Sequence, residues 1–325
     1  MPINDPEKSE NMRKSIRVYS GSSNRPLAQK IAEYLGVELS GLTLKQFANG
    51  EIYARYDETV RGADVFLIQS VAGGNVNDML MELLIATDAA KRASARSITA
   101  VITHYGYARQ DRKDQPRVPI TAKLVANLLT AAGVDRVLTM DLHAAQIQGF
   151  FDIPVDHLYA APVLIRHLRE HYVKDLNNLV VVSPDVGGVK MARAYSDALG
   201  AELAIVAKHR FNATHVEAMN VIGEVEGRDV VLIDDMTETA GTLCAAANIL
   251  KERGAQRVFA CVSHGVLGDM ARDRISGSSI ERVLTSDTVP MAHGPKVDCV
   301  SVGDLLGHAV QRIHDGESVS SLFDI

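Results

Sequence analysis

The sequence predicts an α/β protein made of two similar halves, each a mostly parallel sheet flanked by helices. Along most of the 325 residues, apolar runs of strand length alternate with segments of helical periodicity. Several of these runs end in an acidic residue and continue through small residues into a helix, and open parallel sheets hold ligands at such strand ends. The composition, 46% hydrophobic and 23% charged, suits a globular protein of two ordinary domains.

The first half opens with a predicted strand at residues 16–20 and an amphipathic helix at 26–35. Residues 42–56 are predicted to form a hairpin, because Asn49-Gly50 lies near its centre and Asn-Gly is the strongest short signal for a hairpin turn. The remaining predicted elements of this half are strands at 65–69, 97–103 and 136–140 and helices at 75–92 and 120–132.

The second half repeats this alternation. A predicted strand at residues 201–206 leads to the cations Lys208 and Arg210 and then to a stretch without clear periodicity that ends near Val225. This stretch predicts a mobile loop that closes over an anionic substrate, and an ordinary exposed basic loop is the alternative. The other predicted elements are strands at 179–182, 230–233, 257–262, 280–285 and 297–302 and helices at 243–250 and 302–314.

The order of these elements suggests where the domains begin and end. Residues 1–14 are polar and are predicted to form a disordered head. An N-terminal domain is expected at 15–160 and a C-terminal domain at 161–303, followed by a closing helix and tail at 304–325. The two halves share layout more than residues, which indicates a weak internal duplication.

Composition and missing motifs exclude several classes of protein. The net charge of −6 argues against a general nucleic-acid binder, which usually carries a basic face. No phosphate-binding P-loop, no Gly-x-Gly-x-x-Gly after a strand and no His-Glu-x-x-His occurs in the sequence. A standard P-loop kinase, a dinucleotide enzyme and a zinc protease are therefore not expected.

The sequence also predicts the cellular location of the protein and the state of its cysteines. No stretch approaches 18 apolar residues, and the polar N-terminus lacks the apolar core of a signal peptide, so we expect a cytoplasmic protein that does not bind membranes. The three cysteines are widely spaced in apolar surroundings and are expected to be free thiols.

The most informative stretch follows the predicted strand at 230–233. Asp234 and Asp235 come directly after it, and Thr239 to Thr242 precede the next predicted helix. Carboxylates accept hydrogen bonds from sugar hydroxyls, and backbone N–H groups at a helix N-terminus bind anions. The stretch predicts a site for a phosphorylated sugar and resembles the phosphoribosyl-pyrophosphate motif, whereas an ordinary strand-turn-helix with an acidic cap is the alternative.

A second candidate site is the loop at residues 105–117. It places Tyr105 and Tyr107 among the cations Arg109, Arg112, Lys113 and Arg117, directly after a predicted strand. Tyrosine rings can stack on a base, and arginines bind phosphate oxygens. The loop therefore predicts nucleotide binding, with a solvated charged surface as the alternative.

Six strings of residues point to one family, and the likeness runs from about residue 16 to residue 323. They are Phe47-Ala-Asn-Gly-Glu51, Tyr107-Ala-Arg-Gln-Asp111, Met140-Asp-Leu-His143, Gln146-Ile-Gln-Gly-Phe-Phe-Asp-Ile-Pro-Val155, Ser183-Pro-Asp185 and the stretch from Asp234 to Thr242. Together they resemble the class I ribose-phosphate pyrophosphokinase family. The resemblance implies two phosphoribosyltransferase-like domains and transfer of the diphosphoryl group of ATP to the 1-hydroxyl of ribose 5-phosphate, with Mg²⁺ as cofactor.

The resemblance also implies a role for individual residues. ATP is held by Arg109 and Gln110, with an adenine pocket completed by a neighbouring subunit. Ribose 5-phosphate is bound by the acidic strand end and the turn after it, together with a basic residue of the loop. The residues concerned are Phe47, Asn49, Gly50 and Glu51 for the pocket and Arg210, Asp234, Asp235, Glu238, Thr239, Ala240, Gly241 and Thr242 for ribose 5-phosphate.

By the same resemblance, His143 and Asp185 occupy the family's magnesium positions, and Asp141, Asp152 and Asp156 are weaker candidates. Mg²⁺ prefers oxygen ligands, so His143 is expected to act through water or as a proton acceptor. The catalytic residues implied are Lys208, Arg210 and His143. The family commonly carries Asp where this chain has Glu238, which puts the exact ribose contact in doubt.

Assembly and regulation are implied as well. The resemblance suggests a homohexamer in which phosphate activates and ADP inhibits at an interface site, and the positions of that site are Thr59, Arg61, Arg117, Ser318 and Ser320. The alternative is that Ser318 to Ser321 form a polar tail and that Arg61 is a turn residue, without a binding function. Two other functions remain open: a phosphoribosyltransferase, which would leave the 105–117 loop unexplained, and a non-catalytic regulatory subunit, which would have lost catalytic residues.

Overall fold

The structure is a computed structural model and describes residues 16–173, 175–209, 218–290 and 294–322, without the side chains of residues 208, 209, 218 and 219. It divides into two compact units. Unit 1 holds the described residues up to Leu158 together with those from Val302 onwards, and unit 2 holds the described residues from Tyr159 to Ser301. The predicted head at 1–14 lies outside the described residues, and the boundaries at 160 and 303 stay predictions.

Unit 1 is a five-stranded parallel sheet with a separate hairpin. The sheet has the order β1-β4-β5-β6-β7, and the antiparallel pair β2-β3 forms the hairpin. The elements are β1 (Ile16–Ser20), α1 (Arg25–Leu35), β2 (Leu42–Gln46), β3 (Ile52–Tyr56), β4 (Asp64–Ser70), α2 (Val76–Arg92), β5 (Ser97–His104), α3 (Thr121–Ala132), β6 (Arg136–Met140) and β7 (Val155–Leu158).

Unit 2 is a seven-stranded sheet with the order β10-β9-β8-β11-β12-β13-β14, in which only the β9–β10 pair is antiparallel within the described residues. The elements are α4 (Ala161–His171), β8 (Leu179–Ser183), α5 (Val189–Leu199), β9 (Glu202–His209), β10 (Ala218–Ile222), β11 (Asp229–Thr237), α6 (Gly241–Glu252), β12 (Arg257–Gly265), α7 (Asp269–Ser276), β13 (Arg282–Ser286) and β14 (Val297–Val300). The chain then returns to unit 1 with α8 (Gly303–Asp315).

Local sequence explains why these elements form. Strands β4 and β8 are buried at every residue, as expected for central strands of a parallel sheet that is covered on both faces. Helix α1 begins where the Asn24 side chain accepts a hydrogen bond from the Leu27 N–H, with Pro26 in its first turn. It ends at Gly36, which adopts a left-handed conformation that favours glycine.

Helix α8 is tied to the sheet of unit 1 through a buried charged group. His314 Nδ1 donates a hydrogen bond of 2.8 Å to Asp64 Oδ2 at the start of β4. Arg96 and Ser97 donate to the same carboxylate. Burial favours the neutral form of Asp64, but these hydrogen bonds outweigh it and hold the pKa of this carboxyl far below its ordinary value.

The predicted α/β class is confirmed, and most predicted elements lie within a few residues of the observed ones. The expected irregular stretch up to Val225 is wrong in part, because β10 lies within it and pairs with β9. This pairing extends β9 to His209, beyond the predicted end at residue 206. The hydrogen bonds come from a partner strand, so the local sequence pattern does not predict them. Strand β7 and helices α4 and α7 were also not predicted as elements.

Two smaller expectations can be compared with the described residues. Cys244, Cys261 and Cys299 are free thiols, as expected. Within the described ranges, no helix combines the length and apolar character needed to cross a membrane.

Candidate active site

Strand β11 carries a pair of carboxylates, Asp234 and Asp235, close to its carboxyl end at Thr237. Both are half-buried, and Asp234 Oδ1 accepts a hydrogen bond of 3.0 Å from the Asp235 N–H. Burial raises the pKa of Asp234 to about 8, and the negative charges of Asp235 and Asp185 add to the increase. Several acids concentrated at one strand end are suited to bind cations and hydroxyl donors.

Asp185 belongs to the same edge of the unit 2 sheet, because it follows β8, the parallel neighbour of β11. Its side chain is exposed, and Asp185 Oδ1 accepts a hydrogen bond of 3.0 Å from the Gly188 N–H. The Ser183 hydroxyl donates to the Asp185 carbonyl oxygen. These bonds fix the turn that leads into α5. The structure therefore brings Asp185 together with the β11 carboxylates.

The turn between β11 and α6 has an unusual backbone. Ala240, the residue before the helix, has φ of +55°, a left-handed conformation that alanine seldom adopts and that marks strain at functional turns. Glu238 and Thr239 are exposed, while Gly241 and Thr242 are half-buried at the start of the helix. The turn therefore presents the first N–H groups of α6, which is the arrangement expected of an anion site.

A cation that the sequence analysis missed lies beside this turn. Arg274 of α7 donates a hydrogen bond of 3.0 Å from Nη1 to the Thr239 carbonyl oxygen. Its positive charge adds to the anion-binding character of the α6 N-terminus. No local motif marks Arg274, because its position depends on a short helix that was not predicted.

Lys208 and Arg210 are only partly within the described chain. Lys208 lies in β9, where its backbone pairs with Met219 of β10, and its side chain is outside the described residues. Arg210 lies outside them altogether.

In unit 1, the loop after β5 holds the residues predicted to bind ATP. Arg109 and Gln110 are exposed, and the Gln110 side chain accepts a hydrogen bond from the Thr121 hydroxyl at the start of α3. The loop turns at Tyr107, which has φ of +65° and whose hydroxyl donates to Asn77 of α2. Helices α2 and α3 thus hold both ends of this short exposed segment.

The turn after β6 presents His143. Asp141 is buried with φ of +39°, and the Leu142 N–H donates a hydrogen bond of 2.8 Å to His157 Nε2. Gln148 Nε2 lies 3.2 Å from the other ring nitrogen, Nδ1, so both nitrogens of His157 have polar neighbours. His143 itself is exposed. His157, from β7, was missed because that strand was not predicted.

The two remaining weaker metal candidates differ in surroundings. Asp156 pairs with Arg136 Nη1 at 2.6 Å between neighbouring strands, which gives this carboxylate a structural role. Asp152 is exposed.

The hairpin tip holds the other predicted ATP-binding residues together. Phe47 is 55% exposed, and its N–H donates to the Glu51 carbonyl oxygen at 2.8 Å. The Glu51 N–H donates to Asn49 Oδ1, and Gly50 has φ of +90°, which favours glycine. A large exposed aromatic ring on a rigid tip is suited to contact another molecule.

The predicted regulatory residues occur as two local pairs and one loop residue. The Arg61 N–H donates to the Thr59 hydroxyl, and the Ser318 hydroxyl donates to that of Ser320 at 3.0 Å. Arg117 has φ of +69° in the loop after β5.

Most of the chain is similar to known proteins. Residues 16–133 match the model for the N-terminal domain of ribose phosphate pyrophosphokinase, and residues 209–324 match a phosphoribosyl synthetase-associated domain. The chain is 54% identical to a ribose-phosphate pyrophosphokinase of Chlorobaculum tepidum over 96% of each chain. The chain belongs to the ribose-phosphate pyrophosphokinase family.

Other members of the ribose-phosphate pyrophosphokinase family agree with this assignment. The enzyme of Gloeobacter violaceus is 53% identical over 95% of this chain and 93% of its own length. The phosphoribosylpyrophosphate synthetase structure from Mycobacterium smegmatis superposes with a TM-score of 0.88 at 41% identity, over 93% of this chain and 99% of that one. The family resemblance drawn from the sequence is therefore confirmed, as is the enzyme class.

Binding of a divalent cation requires side chains whose donor atoms suit its coordination. In the part of the chain that the structure describes, no group of three or more His, Cys, Asp or Glu side chains is arranged to hold a metal ion. Mg²⁺ keeps several waters and usually takes one or two carboxylates together with substrate phosphates. The carboxylates at the ends of β8 and β11 fit this preference, whereas the His143 imidazole does not.

Proposed function

We propose that this protein transfers the diphosphoryl group of ATP to the 1-hydroxyl of ribose 5-phosphate, giving 5-phosphoribosyl 1-pyrophosphate and AMP for nucleotide biosynthesis. The observation that carries the proposal is the end of β11, where acidic groups adjoin a strained turn into α6 in a member of this family. Because these substrates and products are soluble phosphorylated metabolites, the protein is expected to act in the cytoplasm.

Ribose 5-phosphate binds at this strand end. Asp234 and Asp235 accept hydrogen bonds from the ribose hydroxyls, and Glu238 extends a further carboxylate from the turn. The N–H groups of residues 239–242 surround the 5-phosphate, as helix N-termini do in other phosphate sites. Arg274 supports the turn and supplies positive charge near the phosphate.

The transfer itself depends on position and charge. ATP is held by Arg109 and Gln110 and by the hairpin tip of a neighbouring subunit. Lys208 and Arg210 stabilise the charge on the moving phosphoryl oxygens, because phosphoryl transfer needs little covalent help from protein. Asp185 would hold Mg²⁺, and the cation would neutralise charge on the phosphates of ATP. His143, a residue of unit 1, would act through water or as a proton acceptor.

The direct test is to incubate the purified protein with Mg²⁺, ATP and ribose 5-phosphate and to separate the products. AMP and 5-phosphoribosyl 1-pyrophosphate should appear in equal amounts. Release of ADP instead of AMP would contradict diphosphoryl transfer. Consumption of added phosphoribosyl pyrophosphate with a purine base would favour the phosphoribosyltransferase, and no turnover would favour the regulatory subunit.

The ATP site is proposed to form between subunits of a homohexamer. The support is the exposed Phe47 at the hairpin tip. We expect Lys208→Ala and Asn49→Ala chains to be inactive separately and to recover activity when they are unfolded, mixed and refolded together. When the two chains are mixed in equal amounts and pair at random, a quarter of all the sites should then carry both intact parts. A protein that is fully active and that light scattering shows to be a monomer at assay concentration would contradict this proposal.

Phosphate activation and ADP inhibition are proposed at Thr59, Arg61, Arg117, Ser318 and Ser320. The support is chemical, since guanidinium groups and hydroxyls suit phosphate binding. Arg61→Ala should weaken both effects while leaving the Michaelis constants for ATP and ribose 5-phosphate unchanged. Purely competitive ADP inhibition that is the same in wild type and variant would contradict a second site.

A further inference from the structure

The strained turn between β11 and α6 is held in shape by contacts from outside it. Ala240, with φ of +55°, lies between Thr239 and Gly241 and is buried in the core of unit 2. A left-handed alanine is unfavourable by itself, because its Cβ crowds the following carbonyl oxygen. Such a residue persists where surrounding groups fix its conformation. The contacts of this turn therefore decide whether it keeps the shape that presents its N–H groups.

Arg274 of α7 makes the contact nearest to the strained residue. Its Nη1 donates a hydrogen bond of 3.0 Å to the Thr239 carbonyl oxygen. A Cβ built on Gly241 would lie 3.5 Å from the same nitrogen, so the guanidinium lies against both residues that flank Ala240. Arg274 itself is exposed. This side chain can therefore control the turn without belonging to it.

The hydrogen bond from Arg274 also sets the direction of a donor. A trans peptide unit is planar, so its C=O and its N–H point in opposite directions. The Thr239 carbonyl oxygen faces α7, and the Ala240 N–H of the same peptide unit therefore faces away from α7. A hydrogen bond from a cation also polarises the peptide unit and strengthens its N–H as a donor. Arg274 thus fixes where the Ala240 N–H points and how strongly it donates.

A second contact holds the other end of the turn. The Val266 N–H, just beyond β12, donates to the Thr237 carbonyl oxygen at 2.9 Å. The end of β12 is fixed in turn, because the buried Ser286 hydroxyl donates to the Ser263 carbonyl oxygen at 2.6 Å. The Thr237 end thus rests on a backbone contact inside the fold. The Thr239 end is held by an exposed side chain, which can be replaced without disturbing the core.

Helix α7 fixes the backbone from which Arg274 reaches the turn. Ala271 and Ile275 of this helix are buried. Lys296 Nζ donates to the carbonyl oxygens of Ile275 and Ser278, at the end of the helix and just beyond it. The guanidinium is therefore exposed, but the main chain that carries it is anchored on both sides.

We propose that Arg274 is a positioning residue of the phosphate site. Through the Thr239 carbonyl oxygen it keeps the Ala240 N–H directed at the 5-phosphate of ribose 5-phosphate. This role rests on the proposed function, which places the phosphate at the N–H groups of residues 239–242. It makes the affinity for the phosphate depend on a side chain outside the turn, with the peptide unit and not the guanidinium in contact with the phosphate.

The test is calorimetric titration of ribose 5-phosphate into the full chain in the presence of Mg²⁺. Arg274→Met removes the hydrogen bond to the turn and should weaken binding about tenfold, the usual size of one charge-assisted hydrogen bond. Arg272→Met is the matched control, because it removes a cation of the same helix that pairs with Asp269, and it should bind as tightly as wild type. Equal binding by wild type and Arg274→Met would overturn the proposal.

A second substitution separates positioning from direct attraction by charge. Glycine adopts a positive φ without strain, so Ala240→Gly should make the turn less dependent on Arg274. Arg274→Met/Ala240→Gly should bind ribose 5-phosphate at least threefold more tightly than Arg274→Met, and the gain should be larger than the one Ala240→Gly gives in wild type. An equal gain in the two backgrounds, or none in either, would overturn the positioning role.

Kinetics separate this role from the proposed reaction. In Arg274→Met the KM for ribose 5-phosphate should rise about tenfold, whereas kcat and the KM for ATP should stay within about twofold, because the lost contact binds substrate and transition state alike. Tenfold weaker binding by Arg274→Met, measured against a wild type that forms no AMP, would support the positioning role and contradict the reaction. A wild type that does not bind ribose 5-phosphate would overturn both.

Discussion

Strand β4 of unit 1 and strand β11 of unit 2 begin in the same way. Asp64 opens β4 and pairs with Arg96 beside the next parallel strand. Asp229 opens β11 and pairs with Arg257 at the start of its own next strand. In both units the aspartate carboxylate receives two guanidinium hydrogen bonds at the amino end of the sheet.

The likeness continues to the last two strands of each unit. Arg136 of β6 pairs with Asp156 of β7, and Arg282 of β13 pairs with Asp298 of β14. The registers agree as well, because each aspartate lies opposite the residue two positions after its arginine. The weak duplication indicated by the sequence is therefore a repeated sheet that keeps its ion pairs.

The carboxyl ends of the strands differ. The two sheets can be aligned so that Asp64 of β4 corresponds to Asp229 of β11. Gln69 then corresponds to Asp234, and Ser22 corresponds to Asp185. In unit 1, Gln69 Nε2 and the Ser22 N–H both donate to Glu82 Oε1, at 2.7 and 2.6 Å. At the carboxyl ends of its strands, unit 1 has a crevice that its own polar side chains fill. At the equivalent place, unit 2 has several carboxylates. One scaffold thus gives a structural contact in one unit and a candidate ligand site in the other.

The largest expected effect comes from making unit 2 more like unit 1. Asp234→Asn should lower kcat/KM for ribose 5-phosphate about a hundredfold, which is the usual loss for a key polar contact in the transition state. The same change should raise the Tm at pH 7. Burial and the neighbouring acids raise the pKa of Asp234 to about 8. The negative charge of Asp234 at pH 7 is therefore less favourable in the folded protein than in the unfolded chain, and removing it stabilises the fold.

Activity assays and thermal unfolding of the same preparation check both parts of this prediction. Loss of activity together with a gain in stability identifies a ligand site. A variant with unchanged kcat/KM would show that the two crevices do not differ in function.

The reverse substitution tests unit 1. Gln69→Glu places a second carboxylate against buried Glu82 and should lower the free energy of unfolding by about 3 kcal/mol, the cost of a buried charge without its partner. Urea denaturation at pH 7 measures this loss. Gln69→Glu/Glu82→Gln exchanges donor and acceptor and should recover most of the stability, whereas an equally unstable double variant would point to a steric cause.

The smallest expected effect is a pH dependence at the amino end of the unit 1 sheet. Hydrogen bonds depress the pKa of Asp64, so its contribution to stability is complete above the ordinary pKa of about 3.9 and is lost as the pH falls towards its folded value. Asp64→Asn should therefore cost about 2 kcal/mol at pH 7 and less at pH 3.

Urea denaturation at both pH values measures this difference, and Asp229→Asn is the matched variant from unit 2. An equal cost for Asp64→Asn at pH 7 and pH 3 would show that its carboxylate charge is not the source of the stability.

Contiguous signals made much of this architecture predictable. The β11 strand, its acids and the following turn fall within about a dozen residues, so their order along the chain determines their order in space. Strand β4 was predictable because an apolar run of that length is typical of a buried parallel strand.

The features that were missed depend on distant parts of the chain. Helix α7 buries only Ala271 and Ile275, which is too weak a pattern to predict a helix, and Arg274 was missed with it. His157 contacts the turn at Leu142 across two neighbouring strands. Sequence alone could not show that Gln69 closes the unit 1 crevice, because its partner Glu82 lies in α2. Ser22, the second donor to Glu82, lies in the turn after β1.

Unit 1 is assembled from both ends of the described chain, and this affects the order of folding during synthesis. The β4 strand is made early, but α8, which carries His314 to Asp64, leaves the ribosome only after all of unit 2. Domains usually fold in the order in which they are synthesised. Here the second unit can complete its fold before the first. Until α8 emerges, the Asp64 carboxylate lacks the hydrogen bond from His314 and is stabilised, among the described residues, by Arg96 and Ser97. A released chain truncated after residue 301 should therefore have a complete unit 2 and an unfinished unit 1.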